Sequence, residues 1–530
     1  MTIDQPGRTR RTRPPNAWWN HQVPTGPAND DAQLRLDVTV RFLDGPDGNA
    51  VLLGGSPLRL LRLRPPADVL LNALRARPSV PAALAALPEE RRSAGAKLLT
   101  TLVSRGLGHP EPRPNLTRRL HDVTVVIPVR NRPASLHRLL TTLAPLTLRG
   151  LQVVVVDDGS TDSTPAVASA FGVDVVGRRV SRGPAAARNT GVASAMTTYV
   201  AVLDSDTVPI GSWLDVCLSH LDATTGVCGI AAVDLVAPRI SSEPGEAGAR
   251  GLRRGIEQYE RIRSPLDLGG APAIIAPKTR VAYVPAAALV CRTDAVREVQ
   301  GFDETLNVGE DVDLVWRLHL AHKVLRYEPL AQVGHEHRTG PVDFVRRRFQ
   351  YGTSAALLNR RHPGLVPPAV VSPWSAGALA LATAGPLGGL GVVAGLVVAG
   401  ISAARLPAKL PQLAATDARA LACRGHIAAV EQLAEATSRT WFPLAALLAL
   451  RNRRARWLLV ASIVVPGARE ARRRRSSLHP ITFVVLRTVD NAAYGCGVWV
   501  GSLRARSFGA LIPKVQNWPG RSSIGEDMKS

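Results

Sequence analysis

Two apolar runs in the middle of the chain each end in a pair of aspartates. Leu151–Val156 leads into Asp157 and Asp158, and Tyr199–Leu203 leads into Asp204, Ser205 and Asp206. Short β-branched runs closed by turn residues read as buried strands. In open α/β sheets, ligands bind beyond the carboxyl ends of the strands, so the two acidic ends point at one crevice. An acidic strand end does nothing for packing, which marks these residues as candidates for chemistry. A spacing of two puts Asp204 and Asp206 on one side of extended chain, where both can face a cation. Mg²⁺ commonly binds one or two carboxylates together with substrate phosphates. Taken alone, an Asp-Ser-Asp sequence is more often a solvated turn.

The surrounding chain, from residue 121 to about 350, alternates strand and helix patterns, which predicts a parallel sheet covered on both faces. A strand over Val123–Ile127 precedes a helix over Pro133–Leu143, and a short strand over V-D-V-V precedes a helix opened by Pro184. That helix carries Arg188 and Asn189 near its start, and helix N-termini and arginines both suit phosphate or ribose oxygens. Further on, Glu310 and Asp311 lie at a loop-to-helix junction, where a carboxylate is held ionised and can accept a proton. Asp311 could also be a plain helix cap. Asp313 and Arg317, four apart, read as a surface ion pair. Trp316 is either core or a platform for a sugar ring. His335 and His337 share one side of extended chain, as metal ligands or as a hydrogen-bonded structural pair.

A length of 530 residues suggests about three domains. The chain carries 65 Lys+Arg against 42 Asp+Glu, a formal charge of +23, which fits nucleic acid, an anionic membrane or phosphate-bearing substrates. No nucleic-acid motif is present, and such binding leaves the acid-ended strands unexplained, so nucleic acid is not an expected partner. The 5 cysteines show no C-x-x-C spacing, which argues for free thiols over a disulfide framework or zinc site. The first thirty residues contain no apolar segment of the kind found in cleaved signal peptides. Residues 1–33, rich in Pro and Arg, read as a mobile tail. Residues 34–115 read as two strands followed by three short helices. Residues 120–355 form the α/β unit, and 365–510 a helical, membrane-associated region.

The ordered series V-V-I-P-V-R-N-R, V-V-V-V-D-D-G-S, A-A-R-N-T-G, L-D-S-D and G-F-D-E…G-E-D-V-D-L-V-W-R-L resembles glycosyltransferase family 2. The strings L-L-G-G-S-P, R-S-P-L-D-L-G, V-G-H-E-H-R and R-F-Q-Y-G-T-S resemble one branch of it, the mycofactocin glycosyltransferases. The resemblance implies an α/β fold of the GT-A type with a mixed sheet, and an inverting transfer from a nucleotide sugar. It also implies roles for the residues that match. Asp311 is the catalytic base, and Asp206 is the stronger ligand for Mn²⁺ or Mg²⁺, with His335 or His337 completing the shell. Asp204 contacts the ribose or reaches the metal through water, Asp158 holds the nucleotide base, Pro128 and Arg130 line the same pocket, and Arg188 sits against the donor. Glu310 and Trp316 belong to the acceptor side. The N-terminal unit resembles small winged-helix domains of the PqqD-like type, which bind precursor peptides; its other reading is a cap packed on the neighbouring unit.

For the branch, the resemblance implies UDP-glucose as donor and repeated transfer that builds a short β-glucan on mycofactocin or a peptide-derived precursor. Two alternatives stand beside it: a transferase acting on a lipid or cell-wall precursor, and a non-catalytic peptide-binding protein. The run Arg346-Arg347-Arg348-Phe349-Gln350 departs from the Q-x-x-R-W of processive synthases, which speaks against long polymers. One or more of its arginines could clamp the diphosphate. In the C-terminal third, no charge occurs between Arg361 and Arg405, and the apolar, Gly-rich stretch within it is long enough to span a bilayer. A second apolar pair, interrupted by Arg451–Arg456, suits a membrane-surface or re-entrant arrangement. The basic cluster Arg472–Arg475 favours the cytoplasmic face of the cell membrane, with lipid as a partner.

Overall fold

A computed structural model describes residues 32–112, 120–221, 233–242, 251–336, 340–383 and 388–517. The basic tail and His337 lie outside them.

The N-terminal unit comprises β1 (Leu34–Leu36), β2 (Arg41–Asp44), β3 (Ala50–Gly54), β4 (Arg59–Arg62), α1 (Ala67–Ala76), α2 (Val80–Ala85), α3 (Glu89–Ser104) and β5 (Gly108–Pro110). The single first strand expected from L-R-L-D-V-T-V-R-F is two. The Asp37 carboxylate accepts the Thr39 amide at 2.9 Å, which turns the chain between β1 and β2. β1 pairs with β5, while β2, β3 and β4 form a meander. Leucines from the helices and from β3, among them Leu52, Leu70, Leu74, Leu99 and Leu102, fill a core of their own.

The central unit is built on a mixed sheet. Its elements are β6 (Val123–Val129), α4 (Pro133–Thr147), β7 (Gln152–Asp157), α5 (Thr164–Ala170), β8 (Asp174–Gly177), α6 (Pro184–Ser194), β9 (Tyr199–Leu203), β10 (Thr207–Ile210) and α7 (Trp213–Leu221). They continue with β11 (Leu235–Ser242), α8 (Gly251–Arg263), β12 (Ala273–Ile274), β13 (Ala288–Arg292), α9 (Thr293–Glu298), α10 (Glu310–Leu320), β14 (Leu325–His335) and α11 (Pro341–Arg361). The strand order is β10-β14-β11-β13-β9-β6-β7-β8, with β12 beside β14. Strands β9, β6, β7 and β8 run parallel, as expected. Beyond β9 the sheet changes direction, because β13 pairs antiparallel with both β9 and β11. The purely parallel sheet suggested by the strand–helix alternation is therefore only half of the real one. Helices α4 and α7 cover one face through Leu136, Leu140, Trp213 and Leu218. Helices α6, α9 and α10 cover the other through Val192, Val296 and Leu314. Gly191 lets α6 lie directly on Val126 of β6.

The C-terminal helices are α12 (Pro373–Thr383), α13 (Gly388–Lys409), α14 (Ala415–Ser438), α15 (Phe442–Arg451), α16 (Arg453–Arg473) and α17 (Pro480–Ala505), and β15 (Val370–Val371) pairs with β16 (Lys514–Val515). The long apolar stretch is not one span. It forms α12 and α13, which pack so closely that a Cβ on Gly395 would lie 2.5 Å from the Ala378 carbonyl. Helix α17 lies along α11 on a glycine seam: a Cβ on Gly352 would meet the Gly497 backbone at 3.0 Å. Beside the seam, Arg348 is buried and bonds Glu260 of α8 at 2.5 Å and Asp490 of α17 at 3.1 Å. Arg263 reaches the same Asp490 at 2.7 Å and Glu470 of α16 at 3.2 Å. These charges bind the helical region to the sheet unit.

Candidate active site

The carboxyl ends of β6, β7 and β9 are joined by the start of α6. Asp158, just beyond β7, is 5% exposed and accepts from Ser181 Oγ (2.7 Å) and from the amides of Arg182 (3.0 Å) and Gly183 (2.9 Å). Arg178 stands 3.3 Å from its other side. Its lone pairs are thus engaged by the loop that leads into α6, and contact with a nucleotide base requires Ser181 or Arg178 to give way. Pro128 is buried in β6, and Arg130 bonds Ser181 at 3.0 Å, so the expected donor-pocket residues do cluster here.

Asp204 and Asp206 are not side by side on a strand. The chain turns between β9 and β10, with the Thr207 amide bonded to the Asp204 carbonyl at 3.0 Å, and the two carboxylates pair with different arginines. Asp204 accepts from Arg188 Nη2 at 2.7 Å. Asp206 faces His335 Nε2 at 3.3 Å and Arg132 Nη1 at 3.6 Å. The strand register explains the histidine, since β10 pairs with β14 so that Thr207 sits opposite His335. Burial would raise the Asp206 carboxyl, but the hydrogen bond and charge of His335 and the charge of Arg132 bring it down to about 2. Burial would lower the His335 imidazole, and Asp206 raises it above its ordinary value.

Among the described residues, no group of three or more His, Cys, Asp or Glu side chains is arranged to hold a metal ion. The Asp206–His335 pair, one carboxylate and one imidazole, fits a divalent cation whose remaining positions come from phosphate oxygens and water.

Arg188 is the hinge of the site. It is 4% exposed and donates to Asp204 on one side and to Glu310 Oε1 at 2.9 Å on the other. Burial disfavours its charge, and the two carboxylates outweigh this, raising its pKa. Glu310, expected on the acceptor side, is instead turned inward onto this guanidinium. Asp311, the next residue, sits in the first turn of α10, after the cap residue Gly309. It accepts the amides of Val312 (2.8 Å) and Ala286 (3.4 Å). A helix N-terminus was expected to keep this carboxylate ionised. Burial, aided by the negative charge of Glu310, pushes it up to about 7, against the Val312 and Ala286 amides and Arg188.

Two further expectations change. Trp316 is 4% exposed, its indole bonds the Ala282 carbonyl at 2.7 Å, and its ring meets His362 edge-on, so it is core and offers no face to a sugar. Asp313 is fully buried, not a surface residue: it holds Arg317 (2.7 Å), Arg361 (3.0 Å) and His362 (2.9 Å), clamping α10 to α11. Of the arginine run, Arg348 is locked in the network described above, while exposed Arg347 acts on the charge of His335. Arg132, inside the matched V-V-I-P-V-R-N-R motif, is a residue that the sequence reading missed, and Asn189, which it placed near phosphate or ribose oxygens, supports a loop. Asn189 accepts the Phe302 amide at 2.7 Å and donates to its carbonyl at 2.8 Å, pinning the G-F-D-E loop to α6. For Arg132, that position inside a matched motif was the available signal.

A family profile described as Glycosyl transferase family 2 matches residues 124–258. The chain is 43% identical over 503 residues, 92% of its own length and 98% of the relative's, to a pre-mycofactocin glycosyltransferase of Mycobacterium tuberculosis. The chain belongs to glycosyltransferase family 2. A more distant member, glycosyltransferase AglE of Haloferax volcanii, is 27% identical over 251 residues, 45% of this chain and 74% of that protein. A mannosyltransferase from Pyrobaculum calidifontis, solved with GDP-Man and Mn²⁺, aligns with 16% identity and a TM-score of 0.39 over 78% of this chain and 98% of its own. Family 2 membership makes the chain a glycosyltransferase of the GT-A fold, with a C-terminal helical region added.

Proposed function

We propose that the chain is an inverting hexosyltransferase that moves glucose from UDP-glucose to mycofactocin or its peptide-derived precursor, and repeats the step to build a short β-glucan. The observation that carries this reading is the cluster in which buried Arg188 and Glu310 meet half-buried Asp204 and Asp311, next to the Asp206–His335 pair. The name of the M. tuberculosis relative supports the acceptor.

In this reading the acceptor hydroxyl attacks the anomeric carbon from the side of Asp311. Its proton passes to the Asp311 carboxylate, a new C–O bond forms, and the bond to the diphosphate breaks with its electrons leaving on UDP. A carboxyl that titrates near 7 is well matched to taking a proton at neutral pH. Arg188 and Glu310 fix the loop-to-helix junction that carries the base. Asp206 and His335 would hold Mn²⁺ or Mg²⁺, which when bound neutralises charge on the leaving diphosphate. Arg347, exposed beside His335, is placed to hold the diphosphate, and Pro128, Arg130 and Asp158 shape the end that takes the base.

The helical region is assigned to the cytoplasmic face of the membrane. One helix among the described residues, Gly389–Lys409, is long and apolar enough to cross a bilayer. Leu390 and Leu396 on it, and Leu447, Leu450 and Trp457 on α15 and α16, are exposed. Arg451, Arg453, Arg454 and Arg456 ring the second group, as suits anionic lipid. That surface favours one alternative acceptor, a lipid-linked precursor.

The test is incubation of the purified full chain with labelled UDP-glucose, Mn²⁺ and mycofactocin precursor, read by mass spectrometry. Stepwise hexose additions to the precursor are expected. Transfer only to an organic-extractable lipid would favour the alternative, and UDP binding with no transfer to either would overturn the enzyme reading.

A further inference from the structure

The loop that leaves β6 is held by a residue not yet assigned a role. Asn131 stands between Arg130 and Arg132 with φ at +52°. This is the left-handed region, which costs free energy for residues other than glycine and which asparagine tolerates better than most. Asn131 is exposed, so no core packing imposes that conformation. Hydrogen bonds to the neighbouring loop hold it instead. The Asn131 amide donates to Ser160 Oγ at 2.9 Å, and the Thr161 amide donates to Asn131 Oδ1 at 2.8 Å. The Ser160 amide in turn lies 3.3 Å from each oxygen of the Asp157 carboxylate. Asn131 thus ties the loop after β6 to the loop after β7, at the carboxyl ends of two neighbouring strands.

The turn at Asn131 decides where its two neighbours reach. In extended chain, residues two apart share one side. Here they part. Arg130 Nη1 donates at 3.0 Å to Ser181 Oγ, the hydroxyl that also bonds Asp158. Arg132 turns to the other carboxylate, with its Nη1 3.6 Å from Asp206 Oδ2, beside His335. The Arg132 amide donates to Thr164 Oγ1 at 2.9 Å, which fixes the backbone on that side. Its guanidinium makes no hydrogen bond to another described residue, so its donors are free for a ligand at the Asp206–His335 pair. The guanidinium fork matches phosphate oxygens. A stretch of three residues therefore supplies a cation to each of two separate acidic positions.

We infer that Asn131 is a positioning residue for donor binding: its left-handed backbone divides Arg130 and Arg132 between the nucleoside end and the diphosphate end of a nucleotide sugar. Asn131 itself touches neither end and acts through the two arginines. This rests on the glycosyl-transfer reading above and deepens it, by naming the residue that sets the span between the two halves of the donor site.

The experiment measures UDP binding to the full chain by calorimetry with Mn²⁺ present, and melting temperature alongside. Asn131→Gly, Asn131→Val, Arg132→Ala and the double variant Asn131→Val/Arg132→Ala are compared with the parent chain. Gly and Val both lose the Oδ1 acceptor, but only Gly takes the left-handed conformation freely. The expected result is UDP binding weakened about tenfold in Asn131→Val and by no more than about threefold in Asn131→Gly. The double variant should bind no more weakly than the worse of its two single variants, because Arg132 is already displaced when Asn131 is Val. Parental affinity in Asn131→Val, equal losses in the Gly and Val variants, or losses that multiply in the double variant overturn the inference and leave the transferase reading intact. Should Asn131→Val not fold, Asn131→Ala takes its place in the same comparisons. Failure of the parent chain to bind UDP overturns both.

Discussion

At Asp311, burial and a neighbouring carboxylate compete with two backbone amides and an arginine, and burial prevails. The consequence for stability has a definite sign. The unfolded carboxyl titrates near its ordinary 3.8 and the folded one near about 7, so between these values the folded chain keeps a proton that the unfolded chain has lost. Stability then falls as pH rises through that window. Asp311→Asn removes this penalty, and its melting temperature should exceed that of the parent chain by more at about pH 8 than at about pH 5. Over the same range, transfer by the parent should decline as pH drops below about 7, where the base takes up its proton. Arg188 makes a separate prediction. Arg188→Met leaves Glu310 and Asp204 without their shared cation, and urea unfolding should register a loss of about 3–5 kcal/mol. Which acids would gather at the strand ends was legible, because acids ending apolar strands have no packing role. Which way they face was not: Glu310 turns to Arg188 because a partner 122 positions away supplies the charge, and no local spacing encodes that.

Among elements, β6, β7, β9 and α6 were readable because each is an unbroken apolar or periodic run closed by turn residues. The break at Asp37 was hidden, since the alternation continues through it and only the side-chain bond to Thr39 bends the chain. The separate arginine partners of Asp204 and Asp206 were hidden for a related reason: a two-residue spacing shares a face only while the backbone stays extended, and here it turns. Trp316 belongs to the same class, its orientation being fixed by Ala282 and His362. The α11–α17 seam is an element that ties the helical region to the sheet unit. A methyl group on Gly497 would overlap the Phe349 carbonyl and force the helices apart. Gly497→Ala should therefore cost about 1–3 kcal/mol in thermal or chemical unfolding.

For the whole molecule, the N-terminal unit, the sheet and the helical region are joined by buried polar contacts. Asp37 and His109 meet Arg280 and Arg326 of the sheet unit, at 3.2 Å in each case. Val51 of β3 packs on Leu410 and Leu413 beyond α13. Arg348 and Glu260 depend on Asp490 and its neighbours, so a chain ending near residue 365 should aggregate on sedimentation, left with charges that it cannot pair. The exposed apolar helices with their arginine collar should carry the full chain to the top of a flotation gradient with anionic vesicles, and release should increase with salt if the arginines supply much of the attraction. Composition announced the basic, apolar C-terminal third. It could not show that this third folds back so that α17 packs along α11.

The most direct test compares Asp311→Asn with the parent chain in single-turnover transfer of labelled hexose from UDP-glucose, with UDP affinity measured in parallel. The expected result is unchanged UDP binding and a transfer rate lowered by about a thousandfold or more. Transfer at the parental rate by Asp311→Asn would contradict the assignment of this carboxylate as the base.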